Sequence, residues 1–376
     1  LYPSQVSLRH LERLTDDTGL LEHCFGKIPR RQEGYATDDN ARALWACVEW
    51  LSLIESANEL QTDAVKLLGL IDRYLSFLLW VQQEDGSFHN NIRYDRTPEP
   101  ETASDDCLGR CLWACALTCV KLKEPDRLIV AQEMFLKGIQ AARSMKFPRG
   151  WAFVLAACSI LLMHSQHRSS RTDDPFWQYV NLVLPNYVSL FEMKLARLYQ
   201  QQAGDGWHWF ESAMTYGNGV MPWSLLVAYQ VTNRQDTLFI AKESLDFLIE
   251  KMTCQQGMIR PIGNRGWCTR HHRSDWDQQP LDVMKLALAS AQAYLVLKDS
   301  RYKEITDKCR AWFYGDNDLH LQLVDREDGS CCDGLNENGV NLNQGAESTL
   351  SYLLTESICK KIGLEEYCYV SCNEVG

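Results

Sequence analysis

Six times along the chain, a loop rich in Asp, Glu, Asn, Gly and Trp runs directly into a segment of small, uncharged residues. Four of these loops are well marked: Thr37-Asp38-Asp39-Asn40, Ser104-Asp105-Asp106-Cys107, Asp275-Trp276-Asp277-Gln278 and Asn343-Gln344-Gly345-Ala346-Glu347. Two are weaker by pattern, Pro148-Arg149-Gly150-Trp151 and the run from Trp207 to Pro222. Successive loops lie roughly 60 residues apart, room for two helices and two turns, so the unit of this chain is a helical hairpin.

The segments after the loops are Ala41–Leu53, Leu108–Val120, Trp151–Met163, Trp223–Val231, Leu281–Leu297 and Ala346–Ile358. They are poor in charge on every face, the composition of helices buried on most sides. Between them lie amphipathic stretches: Val6–Leu14, Val65–Trp80, Arg127–Met145, Phe176–Tyr199, Thr237–Met252 and Tyr302–Tyr314. Val65–Trp80 sets Leu68, Ile71, Leu75 and Leu78 on one face, at helical spacing. Six buried helices alternating with six amphipathic ones predict an all-α fold, an (α/α)6 toroid of inner and outer rings, with all six loops at one end. Short β segments are expected at Ser87–Arg93 and Met258–Ile262, a mobile loop at His164–Asp174, and a frayed tail after Tyr367. With no Pro/Gly/Ser-rich linker, residues 1–376 read as a single domain.

A net charge of −11 and a pI near 5.4 argue against a nucleic-acid surface, which needs a basic stripe. No run approaches the roughly 20 apolar residues of a membrane span. The 15 cysteines show no CxxC pair. Cys107, Cys111, Cys115 and Cys119 stack along one helical face, where their parallel side chains do not bridge one another. They read as small, soft filler, and the expected compartment is the cytoplasm or another reducing interior. The chain opens at Leu1, so a leader or an upstream domain is not visible. His271-His272 with Cys268 or Cys331-Cys332 fits no zinc-ligand spacing, and no nucleotide loop or serine elbow occurs; neither metal nor cofactor is expected.

The chemistry concentrates in the loops. Thr37, Ser104 and Asp275 suit helix caps. The doubled acids do more than cap, because a second carboxylate beside the cap must pair with a cation, bind a ligand or meet water. Helical spacing puts Arg42 within reach of Asp38, and Arg110 within reach of Asp106, leaving Asp39 and Asp105 as the freer acids. In Gly204-Asp205-Gly206-Trp207-His208-Trp209-Phe210-Glu211, a carboxyl beside indoles has its pKa raised, which suits protonation of a leaving glycosidic oxygen. Glu211 is therefore the leading general acid, with Tyr216 and Asn218 placed to hold sugar hydroxyls. Trp276, Asp277 and Gln278, and then Asp333, Asn343, Gln344 and Glu347, supply the planar acids and amides that a polyhydroxylated ligand requires. The third loop carries no carboxylate and reads as packing.

The set YATDDNARAL, SDDCLGRCLW, PRGWAF, WHWFESAMTYGN, DWDQQPLD and NQGAEST resembles the toroid domains of the six-hairpin glycosidase superfamily, found alone or appended to family-1-type glycosyltransferases. The resemblance runs from about Leu8 to Leu354. Relatives tend to carry Glu-Asp where this chain has Asp105-Asp106. The resemblance implies the (α/α)6 fold, an oligo- or polysaccharide ligand, and the possibility of a longer chain bearing a glycosyltransferase domain. Toroid hydrolases commonly invert, which assigns Glu211 as acid, Asp277 or Asp39 as base, Asp106 and Glu347 as hydroxyl holders, and Trp207, Trp209 and Trp276 as sugar platforms. Two alternatives go with it: a sugar epimerase using His208 with His271 or His272, and a non-catalytic glycan-binding module.

Overall fold

The computed structural model describes residues 6–57, 61–100, 103–167 and 174–364. Twelve α-helices are found among them: α1 (Arg9–Leu14), α2 (Thr37–Ala57), α3 (Gln61–Val81), α4 (Asp105–Lys121), α5 (Pro125–Ala141), α6 (Pro148–His167), α7 (Pro175–Gln202), α8 (Val220–Thr232), α9 (Gln235–Lys251), α10 (Pro280–Leu297), α11 (Ser300–Phe313) and α12 (Ala346–Lys361). The even-numbered helices pack in the cyclic order α2, α4, α6, α8, α10, α12 and back to α2, so the ring is closed. The odd-numbered helices form the outer layer; α3, α5, α7, α9 and α11 lie against the inner helices beside them, and α1 covers α12. The fold is the all-α (α/α)6 toroid.

Local chemistry sets the close approaches. Ser104 caps α4 through the Cys107 amide, and Gly109 of α4 faces Gly150 of α6, where an added Cβ would meet the Gly150 carbonyl oxygen at 3.0 Å. The stripe of Cys107, Cys111, Cys115 and Cys119 is wholly buried, and every cysteine among the described residues is a free, buried thiol. Among the described residues, α10 alone is long and apolar enough to cross a membrane, and here it is an inner-ring helix.

The β structure consists of two-stranded antiparallel pairs: β1 (Cys24–Phe25) with β2 (Ile28–Pro29), β3 (Tyr35–Ala36) with β4 (Asn91–Ile92), β5 (Ala213–Met214) with β6 (Cys268–Thr269), β7 (Val324–Asp325) with β8 (Ser330–Cys331), and β9 (Gly334–Asn336) with β10 (Gly339–Asn341). The expected segment Ser87–Arg93 contains β4, whereas Met258–Ile262 contributes only a bridge from Ile259 to Thr253. Of the expected loop His164–Asp174, residues 164–167 finish α6 and residues 168–173 lie outside the described residues, as does the tail after Tyr367.

Candidate active site

All six inner helices start at the same end of the ring, and the loops that precede them are fastened to one another around the whole mouth. The β3–β4 pair and the Asn90 side chain, which accepts from the Ser104 amide, join the starts of α2 and α4. Asp105 accepts from the amides of Lys146 and Phe147 and joins α4 to α6. Arg149 joins α6 to the loop before α8, donating to the Tyr216 carbonyl (2.6 Å), the Thr215 hydroxyl (2.7 Å) and the Glu211 carboxylate (3.0 Å). The β5–β6 pair, and the Gly217 amide donating to Asp282 at 2.7 Å, join α8 to α10. Gln278 and Leu335 exchange backbone bonds between the α10 and α12 loops, and Ala346 and Gln344 donate to the carbonyls of Glu22 and Gly26 to complete the circle.

Inside this rim the charged side chains form a continuous belt. Arg42, 1% exposed, bonds Asp39 at 2.7 Å and Glu347 at 3.2 Å, and stands 3.6 Å from Asp38. Arg110 reaches across from α4 to Asp38 and lies 3.8 Å from Asp106. The Tyr216 hydroxyl donates to Asp106 at 2.8 Å, while the Tyr216 ring lies 4.6 Å beneath the Arg149 guanidinium. The two helix-local pairs expected from spacing do form, yet each arginine has a closer partner. The ring sets the starts of α2 and α4 side by side, so Arg110 finds the neighbouring helix's Asp38.

The belt splits the protonation of adjacent acids. Burial alone would raise Asp38, but Arg110 and then Arg42 beside it hold it below the usual carboxylate range. Asp39, 4% exposed, is pushed well above that range by burial; Arg42 pulls against this, and the charges of Asp38 and Glu347 add to it. Asp282, in the first turn of α10, is pushed up to about 7 by burial. Its Oδ2 and the Oδ1 of Asn218 are buried without a hydrogen-bond partner.

Below the belt, four aromatic rings close the lumen. Trp45 of α2 stacks on Trp223 of α8 across the ring at 6.4 Å, and Trp113 of α4 and Phe153 of α6 meet Trp223 edge-on at 4.8 and 6.0 Å. Lys285 of α10 lies on this floor with its Nζ 4.8 Å from both the Trp45 and the Phe153 ring centres. It is 1% exposed and forms no ion pair among the described residues; burial, then Arg42 and Arg110, push its pKa well down.

Several expected site residues are elsewhere. Trp207 and Trp209 are 3% and 0% exposed and belong to the core, Trp207 against Phe247 of α9 and Trp209 against Phe210, so neither offers a face to a sugar. His208 also turns to the outer ring, with Nδ1 3.3 Å from Glu243. His271 and His272 are exposed on the turn after β6. Gln278 is fully buried; its amide donates to Asp318 (2.6 Å) and accepts from the Trp312 indole (3.1 Å), a structural lock rather than a ligand contact. Asp333 accepts from the Gly345 amide and the Ser348 hydroxyl at the start of α12, Asn343 accepts from the Gly26 amide, and the Gln344 backbone holds Gly26 and His10; these three fasten the rim. Asn218 is buried and donates to the Thr215 carbonyl. Asp277 pairs with Arg265 at 2.9 Å, outside the belt, with the half-buried Trp276 beside it.

The belt therefore gathers Asp38, Asp39, Asp106, Arg110, Tyr216 and Glu347, with Glu211 attached through Arg149. Sequence reasoning passed over Arg149, Asp282 and Lys285. Each is a charge inside a run otherwise read as packing, and that isolation is the signal that marks them. Among the described residues no three His, Cys, Asp or Glu side chains form a metal-ligating group.

No family model and no curated protein sequence matches the chain. Solved structures do share its shape. A cellobiose 2-epimerase from Bacillus thermoamylovorans superposes with a TM-score of 0.69 at 10% identity, over 95% of this chain and 96% of that one. An inactive variant of an α-1,6-mannanase from Salegentibacter sp., with two consecutive aspartates replaced by alanine and bound to α-1,6-mannotetrose, gives 0.60 at 11% identity, over 94% and 96%. A cellulase from C. cellulolyticum in complex with cellobiose gives 0.58 at 10% identity, over 91% and 87%. The likeness is one of fold: epimerases and glycoside hydrolases among the solved structures share the (α/α)6 toroid of this chain.

Proposed function

We propose that the chain is a carbohydrate-active enzyme that hydrolyses glycosidic bonds with inversion, using Asp39 and Glu211 as the acid and base. The observation that carries this is their placement. In a six-membered inner ring, α2, whose first turn carries Asp39, and α8, which the Glu211 loop precedes, are opposite members. An inverting pair needs about 6.5–9.5 Å between carboxyls to fit both the sugar and a water. Asp39, whose burial favours the protonated form, is the proton donor. Glu211, held at both oxygens by Arg149 (3.3 and 3.0 Å), is the base. This exchanges the roles expected from sequence, because the indoles near Glu211 turn into the core. Asp38 is consumed by arginines and acts as a strut, while Asp106, Tyr216 and Glu347 hold hydroxyls.

Similar folds support a sugar substrate without choosing the reaction. The belt favours hydrolysis over epimerisation: its acids are carboxylates, and the histidines named for epimerase chemistry lie at the outer ring and on the exposed β6 turn. Asp39→Asn and Glu211→Gln variants should each lose at least about 100-fold in kcat on an oligosaccharide that the parent cleaves. Retention of full turnover by either variant removes that residue from the chemistry.

A further inference from the structure

Tyr216 reaches past a whole helix. It belongs to the loop before α8, yet its hydroxyl donates to Asp106 in the first turn of α4 at 2.8 Å. In the inner ring α6 stands between α4 and α8, so the phenol lies over the start of α6. Arg149, in the first turn of α6, meets it there. Its guanidinium carbon is 4.6 Å from the centre of the phenol ring, and its Nε donates to the Tyr216 carbonyl at 2.6 Å. The turn itself is fastened on both sides of the tyrosine. Arg149 also holds the Thr215 hydroxyl, the Asn218 side chain donates to the Thr215 carbonyl at 2.8 Å, and the Gly217 amide donates to Asp282. Gly217, at φ +59°, supplies a left-handed step that a side chain resists.

A side chain clamped at its tip, at one face and at its own backbone would ordinarily be part of the core. Tyr216 is 37% exposed. The floor rings Trp45, Trp113, Phe153 and Trp223 are buried, and so are Trp207 and Trp209. Arg149 occupies one face of the phenol, which leaves the opposite face as its open surface. That surface lies beside the reacting groups. The guanidinium that backs the phenol also holds the Glu211 carboxylate at 3.0 Å, which keeps that carboxylate within roughly 9 Å of the ring centre. The hydroxyl already donates to Asp106, so holding a sugar hydroxyl uses only its oxygen and gives the ring face no task.

We infer that Tyr216 is the sugar-stacking platform of this site: the C–H face of a pyranose packs on the phenol face turned away from Arg149, with Asp106 at the hydroxyl end of the platform and Glu211 joined to it through Arg149. The inference rests on the sugar-binding half of the hydrolytic reading and assigns it the residue that sets the plane of the bound ring. A flat apolar surface that is already immobile binds at small entropic cost. It also selects among epimers, because a pyranose that turns an axial hydroxyl onto the phenol buries that hydroxyl without a partner.

The test uses the full chain carrying Asp39→Asn, which slows turnover and does not touch Tyr216 or Arg149. Oligosaccharides of gluco, manno and galacto configuration are titrated by calorimetry. Adding Tyr216→Leu should weaken Kd about tenfold, and Tyr216→Phe, which keeps the ring and loses the Asp106 bond, should stay within about threefold. Saturation-transfer NMR with Tyr216 intact should favour the C–H protons on one face of one sugar residue. An unchanged Kd in Tyr216→Leu, a Tyr216→Phe variant as weak as Tyr216→Leu, or transfer spread evenly over both faces overturns the platform. The NMR result stands even where Tyr216→Leu fails to fold. Tyr216-dependent binding by a parent that cleaves none of the panel keeps the platform and overturns hydrolysis. A folded parent that binds none of these sugars overturns both.

Discussion

Asp282 provides a direct physical check on the belt. Its carboxyl is 2% exposed, Oδ1 accepts the Gly217 amide, and burial lifts its pKa to about 7 against the backbone amides of Gly217 and Asn218. The folded protein thus keeps a proton that the unfolded chain releases near pH 4. Where the folded state binds more protons, stability falls as pH rises. The stabilisation is complete below the unfolded pKa and is lost through the window up to about pH 7. Three pKa units correspond to about 4 kcal/mol at 1.36 kcal/mol each. Asp282→Asn retains an oxygen for the Gly217 amide and has nothing to titrate. Urea unfolding, followed by tryptophan fluorescence from pH 4.5 to 8, should show the variant gaining about 3 kcal/mol on the parent from the acid end to the alkaline end. The difference between the two proteins cancels the titration of every other group. A gap that stays constant across this range would refute a protonated Asp282 and the dry environment inferred for the start of α10.

Lys285 has the opposite sign. Its pKa is depressed, so its burial costs stability at neutral pH and the cost fades as pH rises. Lys285→Met, which keeps the contact with Trp45 and Phe153, should raise Tm more at pH 6 than at pH 9; an equal rise would show the amine to be charge-compensated. Arg149→Leu strands the Tyr216 carbonyl, the Thr215 hydroxyl and the partly exposed Glu211, and should cost about 3 kcal/mol in urea unfolding. A loss below about 1 kcal/mol would mean that water replaces the guanidinium. In Gly219→Ala the new Cβ would stand 2.1 Å from the Lys285 carbonyl oxygen, forcing α8 from α10; a loss of about 2–3 kcal/mol or insoluble expression is expected, and an unchanged Tm would contradict the inter-helix spacing.

The alternation of textures made the ring legible, because a helix buried on all sides and a helix with one wet face differ in composition. Helix starts were less legible: Asp38, Asp39, Asp105 and Asp106 form the first turns of α2 and α4 rather than preceding them. Partners across the ring were invisible, since i,i+4 spacing knows only its own helix; hence Arg110 was given Asp106, and Asp38 is nearer. Aromatic residues in a loop reveal no direction, and Trp207 and Trp209 turned inward to pack. The third loop, lacking any carboxylate, supplies Arg149, the cation that holds the loop before α8. Asp282 and Lys285 sit in an apolar run where a buried charge is costly, and that cost was the clue in the sequence.

Proton NMR of the products at the first minutes of reaction tests the central claim most directly, on the oligosaccharide that the parent cleaves fastest. The account predicts a newly formed anomeric signal of configuration opposite to that of the cleaved linkage, absent in Asp39→Asn and in Glu211→Gln. Retention of configuration would contradict the opposed acid and base, and interconversion of the free sugar without cleavage would contradict hydrolysis itself.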